Sequence, residues 1–148
     1  MEYSTEYLII HEDEIDWLDL SQNKNRSFSL PEIRMFRNKI HWNIYCFEHR
    51  MNYPELLIAS KYFDRTTYKI LSIYHNIPEQ FIELHLDEIF WDDLIANSAL
   101  DEEFLFKHSE YWMNTPIQIL QERFLKNTKI DLHSGDYDRL VLYLKLKN

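Results

Sequence analysis

The stretch "HEDEIDWLDL", residues 11–20, returns seventy-four residues later as "HLDEIFWDDL", residues 85–94, with seven of its ten positions unchanged. The decamer belongs to a longer period. Anchored on Trp17 and Trp91, "YSTEYLIIHEDEIDW" (3–17) aligns without a gap to "IPEQFIELHLDEIFW" (77–91). Two further segments take the same register, "FSLPEIRMFRNKIHW" (28–42) and, with less identity, "NYPELLIASKYFDRT" (52–66). A fifth, "LDEEFLFKHSEYWMN" (100–114), keeps its first half, and "LQERFLKNTKID" (120–131) reads as a decayed sixth. The fifteenth position falls at residues 17, 42, 66, 91 and 114, a spacing of 25, 24, 25 and 23. Such a period signals stacked supersecondary units, none of which buries its apolar face alone.

The spacing inside one unit says what is stacked. Phe81, Ile82, His85 and Ile89 stand at i, i+1, i+4 and i+8, the spacing of an amphipathic helix, and alternation at period 2 is absent. Start signals precede it: Pro78 suits a first helical turn, Asp101 an N-cap, and "SLPE" (29–32) has capping-box spacing. A tryptophan with an apolar residue three places on then predicts a short second helix: Trp17 and Leu20, Trp42 and Tyr45, Trp91 and Leu94. Asp16 can cap it in the first copy, whereas His41 and Phe90 stand at that place in others. Trp17, Trp42, Phe81, Trp91 and Phe104 are the expected core.

Composition agrees with helices. Gly135 is the only glycine among 148 residues, so hairpin turns that need positive φ are poorly supplied. The length is that of about one domain. Cys46 stands alone, which excludes an internal disulfide and a cysteine-built zinc cluster within one chain, and suits a reducing compartment. The N-terminus lacks a basic n-region, and no apolar run approaches the roughly 20 residues that cross a bilayer, so the expectation is a cytoplasmic chain without membrane contact.

Charge is unevenly placed. The chain carries −9 overall; residues 1–20 hold seven acids and no lysine or arginine, and residues 79–112 hold ten acids and only Lys107. Between them "NKNRSFSLPEIRMFRNKIHW" sets Lys24, Arg26, Arg34, Arg37 and Lys39 against Glu32. That asymmetry makes an oriented surface field, which bears on association more than on fold.

The pattern resembles tandem repeats of roughly 24 residues, of the form L-S-E-E-F-I-x-x-H-x-D-x-[IV]-D-W-x-x-I-S, found in bacteriophage and large DNA virus proteins that lack assigned functions. Phe81, Ile82, His85, Asp87, Ile89 and Trp91 carry the resemblance in one copy, and Tyr7, Leu8, His11, Asp13, Ile15, Asp16 and Trp17 in another. It covers roughly residues 3–114 and implies a viral origin. Glu14 and Glu88 stand where that pattern has a lysine, which only Lys39 supplies.

The residue types that invite chemistry have plainer uses. His11, His85 and His108 share one repeat position, but stacked units about one helix diameter apart, roughly 10 Å, keep them from sharing a metal, and structural hydrogen-bonded histidines are expected. "HEDE" lacks the i, i+4 histidine pair of a zincin. "HSGD" (133–136) is better suited to ending one helix at Gly135 and capping the next than to a triad. Cys46, between Tyr45 and Phe47, suits a buried small residue. Arg34, Arg37 and Lys39 with Trp42 and Tyr45 have the side chains to pair phosphates and stack bases, but the acidic copies beside them oppose nucleic acid.

The expectation is therefore an all-α fold of short tandem helix-pair repeats stacked as a small solenoid. Its units are approximately 3–27, 28–51, 52–76, 77–99 and 100–119, within a single domain, followed by a non-repeat C-terminal cap at 120–148. Residues 136–148 fit either a helix or a strand. The expected activity is non-enzymatic and cofactor-free: binding, and possible inhibition, of a host protein through Asp13, Glu14 and Asp19 in one copy and Asp87, Glu88, Asp92 and Asp93 in the other. The alternatives are an acidic mimic that blocks a nucleic-acid-binding site and a self-associating scaffold.

Overall fold

A computed structural model describes residues 3–97 and 100–127. Among the described residues the chain is all helical, with ten α-helices, two 3₁₀ turns and no strand. The helices are α1 (Thr5–Ile10), α2 (Trp17–Gln22), α3 (Leu30–Phe36), α4 (Trp42–Glu48) and α5 (Tyr53–Ala59), then α6 (Arg65–Tyr74), α7 (Glu79–Leu84), α8 (Trp91–Ile95), α9 (Glu102–Lys107) and α10 (Ile117–Lys126). The chain forms two compact units, Met1–Ile70 and Leu71–Asn148, where length alone suggested one domain.

Helix starts follow local chemistry. Ser4 accepts from the Tyr7 N–H ahead of α1, Asp16 from Asp19 ahead of α2, Asn52 from Glu55 ahead of α5, and Asp101 from Phe104 ahead of α9. Each side chain satisfies one of the four N–H groups a helix leaves orphaned. Ser29 and Glu32 form the complete capping box of α3. Pro78 precedes α7 as its N-cap rather than entering the first turn.

The first helix of each pair is shorter than the apolar spacing predicts. In the fourth copy α7 ends at Leu84, His85 is its C-cap, and the Ile89 N–H returns to the His85 carbonyl at 3.2 Å, so buried Ile89 belongs to the following turn.

In the first unit α2 packs on α4 and α3 on α5; in the second α8 packs on α10. All five expected core residues are buried, none more than 7 % exposed. Trp17 lies 4.9 Å from the Phe36 ring, Trp42 5.8 Å from Phe63, and Trp91 5.3 Å from Tyr111. Each tryptophan thus meets an aromatic ring of the next helix pair. Each also opens its helix and donates its indole N–H five residues back: Trp17 to Glu12 O at 2.9 Å, Trp42 to Arg37 O at 2.7 Å and Trp91 to Leu86 O at 2.9 Å. The indole thereby ties the turn between paired helices to the second helix.

Two copies slip from the sequence register. In the third, exposed Thr66 stands at the anchor, while Tyr68, Leu71 and Ser72 are buried in the way Trp17, Leu20 and Ser21 are. The cause is Asp64, which takes the Thr67 N–H at 2.9 Å and starts α6 at Arg65, one turn ahead of Tyr68. In the fifth, Pro116 delays α10 to Ile117, past the expected Asn114. The expected boundary at residue 120 therefore falls inside α10, which runs Ile117–Lys126. The readings of 133–136 and of 136–148 lie outside the described residues.

Candidate functional site

The two decamers build the same local object. His11 and His85 are the C-caps of α1 and α7, and each ring lies over the aromatic residue four places earlier, 4.1 Å from Tyr7 and 4.4 Å from Phe81. Each imidazole then meets the carboxylate three places on: His11 Nδ1 is 3.1 Å from Glu14 Oε2, and His85 Nδ1 3.9 Å from Glu88 Oε2. His108 repeats the aromatic contact at 4.8 Å from Phe104. These rings brace the turn that carries the acids.

Asp13, Glu14 and Asp19 are exposed in the first unit, as are Asp87 and Glu88 in the second; Asp92 is half-buried. Just before each turn stands an exposed aliphatic side chain, Ile10 at 75 % and Leu84 at 61 % exposure. Each copy therefore presents one apolar prong beside two carboxylates. Lys39 Nζ lies 3.7 Å from Asp13 Oδ1. Asp87 has Tyr111 for a neighbour instead, whose hydroxyl pKa is pushed up by burial first and by Glu110 and Asp87 next.

Asp93 departs from the expected docking set. It is 8 % exposed, and Arg123 Nη2 of α10 lies 3.6 Å from its Oδ1. The α8 to α10 packing turns it inward, so its carboxylate lies in the interior of the second unit.

Sequence reasoning missed the polar groups that join successive helix pairs. The Ser21 hydroxyl accepts the His41 N–H at 3.0 Å, and the Ser72 hydroxyl accepts the Phe90 N–H at 3.2 Å. His41 and Phe90 are N-caps whose own side chains make no cap bond. At the other end of the second helices, His49 Nε2 reaches the Asn23 carbonyl at 2.8 Å, and buried Asn127 donates to the carbonyls of Ile95, Asn97 and Leu100 at 2.9, 3.1 and 3.2 Å. Buried Asn97 donates likewise to the carbonyls of Ser72 and His75. A carbonyl left over at one helix end is thus capped from the next pair. The sequence signal was a polar residue at the end of the apolar run, visible only once the period is known.

Glu32 was read from the sequence only as a capping-box member, and its burial was missed too. It occupies the position taken by Tyr7, Leu56, Phe81 and Phe104 in the other copies, yet it is 2 % exposed. Arg26 makes a two-pronged contact to it, Ser29 N–H donates at 2.9 Å, and Thr5 Oγ1 lies at 3.3 Å. Burial works to raise its pKa, but the Arg26 and Ser29 hydrogen bonds outweigh that and hold it below the usual carboxylate value. The Cys46 thiol is buried and its pKa pushed up, the reverse of what a nucleophile needs.

Among the described residues no three His, Cys, Asp or Glu side chains converge as a metal site, and no helix is long and apolar enough to cross a membrane. No family model, curated protein or solved structure matches the chain.

Proposed function

We propose that the chain is a non-enzymatic protein-interaction module, built as a stack of helix-pair repeats, whose acidic turns dock on a basic surface of a partner protein. The carrying observation is the doubled constellation: exposed Ile10 beside Asp13 and Glu14, and exposed Leu84 beside Asp87 and Glu88. An apolar side chain held next to charges supplies buried area, while the carboxylates steer encounter and reject acidic competitors. The viral resemblance makes a host protein the natural partner, and inhibition follows where the docked surface is one the host protein needs.

Mimicry of nucleic acid ranks below this. It calls for closely continuous negative charge, since duplex DNA carries one charge per roughly 1.7 Å of axis. Asp93 is withdrawn into the core and Asp13 is already met by Lys39, which interrupts the acidic rows.

The test is affinity capture from host lysate at low and high salt with the parent chain and with Leu84→Ala/Asp87→Lys/Glu88→Lys. The expected result is a protein partner held at low salt, released at high salt and lost with the triple variant, whose helicity by circular dichroism is unchanged. Capture that survives the variant places recognition elsewhere.

A further inference from the structure

The chain itself carries a surface of the chemistry that its acidic turns call for. In the first unit the starts of α4 and α6 enclose an open groove of about 390 Å³. Ile40, Ile44 and Tyr62 form its apolar walls, with Asn43, Asp64 and Thr67 as the polar edge. The Asp64 carboxylate is committed within the groove, bonded to the Thr67 N–H at 2.9 Å and to its hydroxyl at 3.0 Å, and the Thr67 amide bond foremost holds its pKa low. The Arg37 guanidinium sits over the Tyr62 ring at 5.5 Å and places a cation at the rim.

The surroundings reinforce that sign. Residues 21–70 hold nine lysines and arginines against four acids, one of which is the buried, arginine-paired Glu32. Residues 71–112 hold ten acids and Lys107 alone. Within one molecule Lys39 already meets the acidic turn of the first copy at Asp13, which shows a cation of the second repeat serving such a turn.

We propose that the chain self-associates by seating the turn at residues 84–88 of one copy against the groove at residues 40–44 and 62–67 of another. This rests on the reading of the acidic turns as docking surfaces and names a second copy as one partner. Leu84 is the prong that the walls of Ile40, Ile44 and Tyr62 accept, while Asp87 and Glu88 face Arg37. The contact is heterologous: a turn on one molecule meets a groove on the next, so each added copy leaves one turn and one groove open, and growth continues until the rotation between copies closes a ring or, where it does not close, as an open chain. The −9 net charge opposes association at very low ionic strength. At about 0.1 M salt the Debye length is near 10 Å, which screens whole-molecule repulsion more than pairs in contact.

Sedimentation velocity over a range of concentration tests this with the full chain, in about 0.1 M and 0.5 M salt, on three proteins: parent, Asp87→Lys/Glu88→Lys, and Arg37→Glu. The parent is expected to form concentration-dependent oligomers that weaken at the higher salt. Each variant should self-associate about tenfold more weakly, the scale of losing opposed charges at a contact. Mixing the two variants should restore association, because reversed turns then meet a reversed rim. A parent chain that stays monomeric up to about 1 mM overturns the proposal, as does oligomerisation indifferent to both variants or a mixture no tighter than its components. If lysate capture still depends on residues 84–88 while the parent stays monomeric, the docking reading stands and this inference alone fails.

Discussion

Residues 11–20 and 85–94 share seven side chains, and the shared tryptophan, histidine and glutamate make matching local contacts in both places. Trp17 and Trp91 open a helix and bond five residues back; His11 and His85 lie on an aromatic ring and meet a glutamate. What differs is set by the neighbours. Asp19 is exposed where Asp93 is buried against Arg123, Asp13 meets Lys39 where Asp87 lies near Tyr111, and Asp16 caps its own helix where Phe90 relies on Ser72. Identical sequence therefore fixes the geometry of a turn, and the adjoining helix pair decides which of its side chains remain available.

The largest effect should fall on what the copies share. Trp17→Ala and Trp91→Ala each remove a buried indole and its hydrogen bond, at a cost of about 3–5 kcal/mol. Against a total stability of roughly 5–15 kcal/mol, either change should lower the thermal midpoint steeply. A midpoint left in place by Trp91→Ala would mean that the tryptophans are recognition residues and not core.

Asp19 and Asp93 occupy the same position of the decamer and should respond oppositely. Asp93→Lys sets a second cation against Arg123 in a buried site, and breaking such a pair costs about 3–5 kcal/mol. Asp19→Lys alters an exposed side chain and should stay within about 0.5 kcal/mol, apart from the loss of an acid in the first turn of α2. Urea unfolding of both variants decides it, and equal costs would remove Asp93 from the interior.

The helical class and three of the caps were legible because each depends on residues within four places of one another: Ser29 with Glu32, Asp16 with Asp19, Asp101 with Phe104. The slip in the third copy was hidden because Thr66 fits the count, and only the competing cap at Asp64 moves the helix start. The burial of Asp93 was hidden for a different reason. It is set by Arg123, thirty residues further on, and nothing in the decamer distinguishes it from Asp19. Glu32 was the converse case, a charge at an apolar position that looks like surface until Arg26 is seen beside it.

Glu32 also makes acid a probe of the first unit. Its folded-state pKa lies below the ordinary glutamate value, so its stabilisation is fully present above the unfolded-state value and is lost as pH falls through the folded one. Hydrogen exchange on acidification below the ordinary glutamate pKa of about 4.3 should show α1 and α3 losing protection, since the Arg26 and Glu32 contacts reach Tyr3 and Thr5. Glu32→Gln should flatten that pH dependence and lower stability at neutral pH, because the half-buried Arg26 then keeps its charge without the opposing carboxylate. Unchanged acid sensitivity in Glu32→Gln would assign the effect to other carboxylates.

The smallest contrast concerns how the second helix begins. The Phe90 N–H ahead of α8 is taken by the Ser72 hydroxyl at 3.2 Å, whereas the helix after Asp16 is capped by Asp16 itself, whose Oδ1 accepts from Asp19 N–H at 3.0 Å. Ser72→Ala leaves that backbone donor unsatisfied at a part-buried site, a cost of about 1–3 kcal/mol. Asp16→Ala removes a side-chain cap for about 1 kcal/mol. For a chain of this size each kcal/mol moves the midpoint by about 3 °C, so both are measurable by calorimetry. Phe90→Asp installs in the fourth copy the cap that the first copy carries, and should recover about 1 kcal/mol in the Ser72→Ala background through the first-turn N–H groups of α8, leaving the N–H of residue 90 without its hydroxyl. The same substitution in the parent places a third acid next to Asp92 and Asp93, so its gain there should be smaller. If Ser72→Ala is silent while Asp16→Ala costs its full share, the link between successive helix pairs carries no stability in the second unit, and the serine position is a packing choice alone.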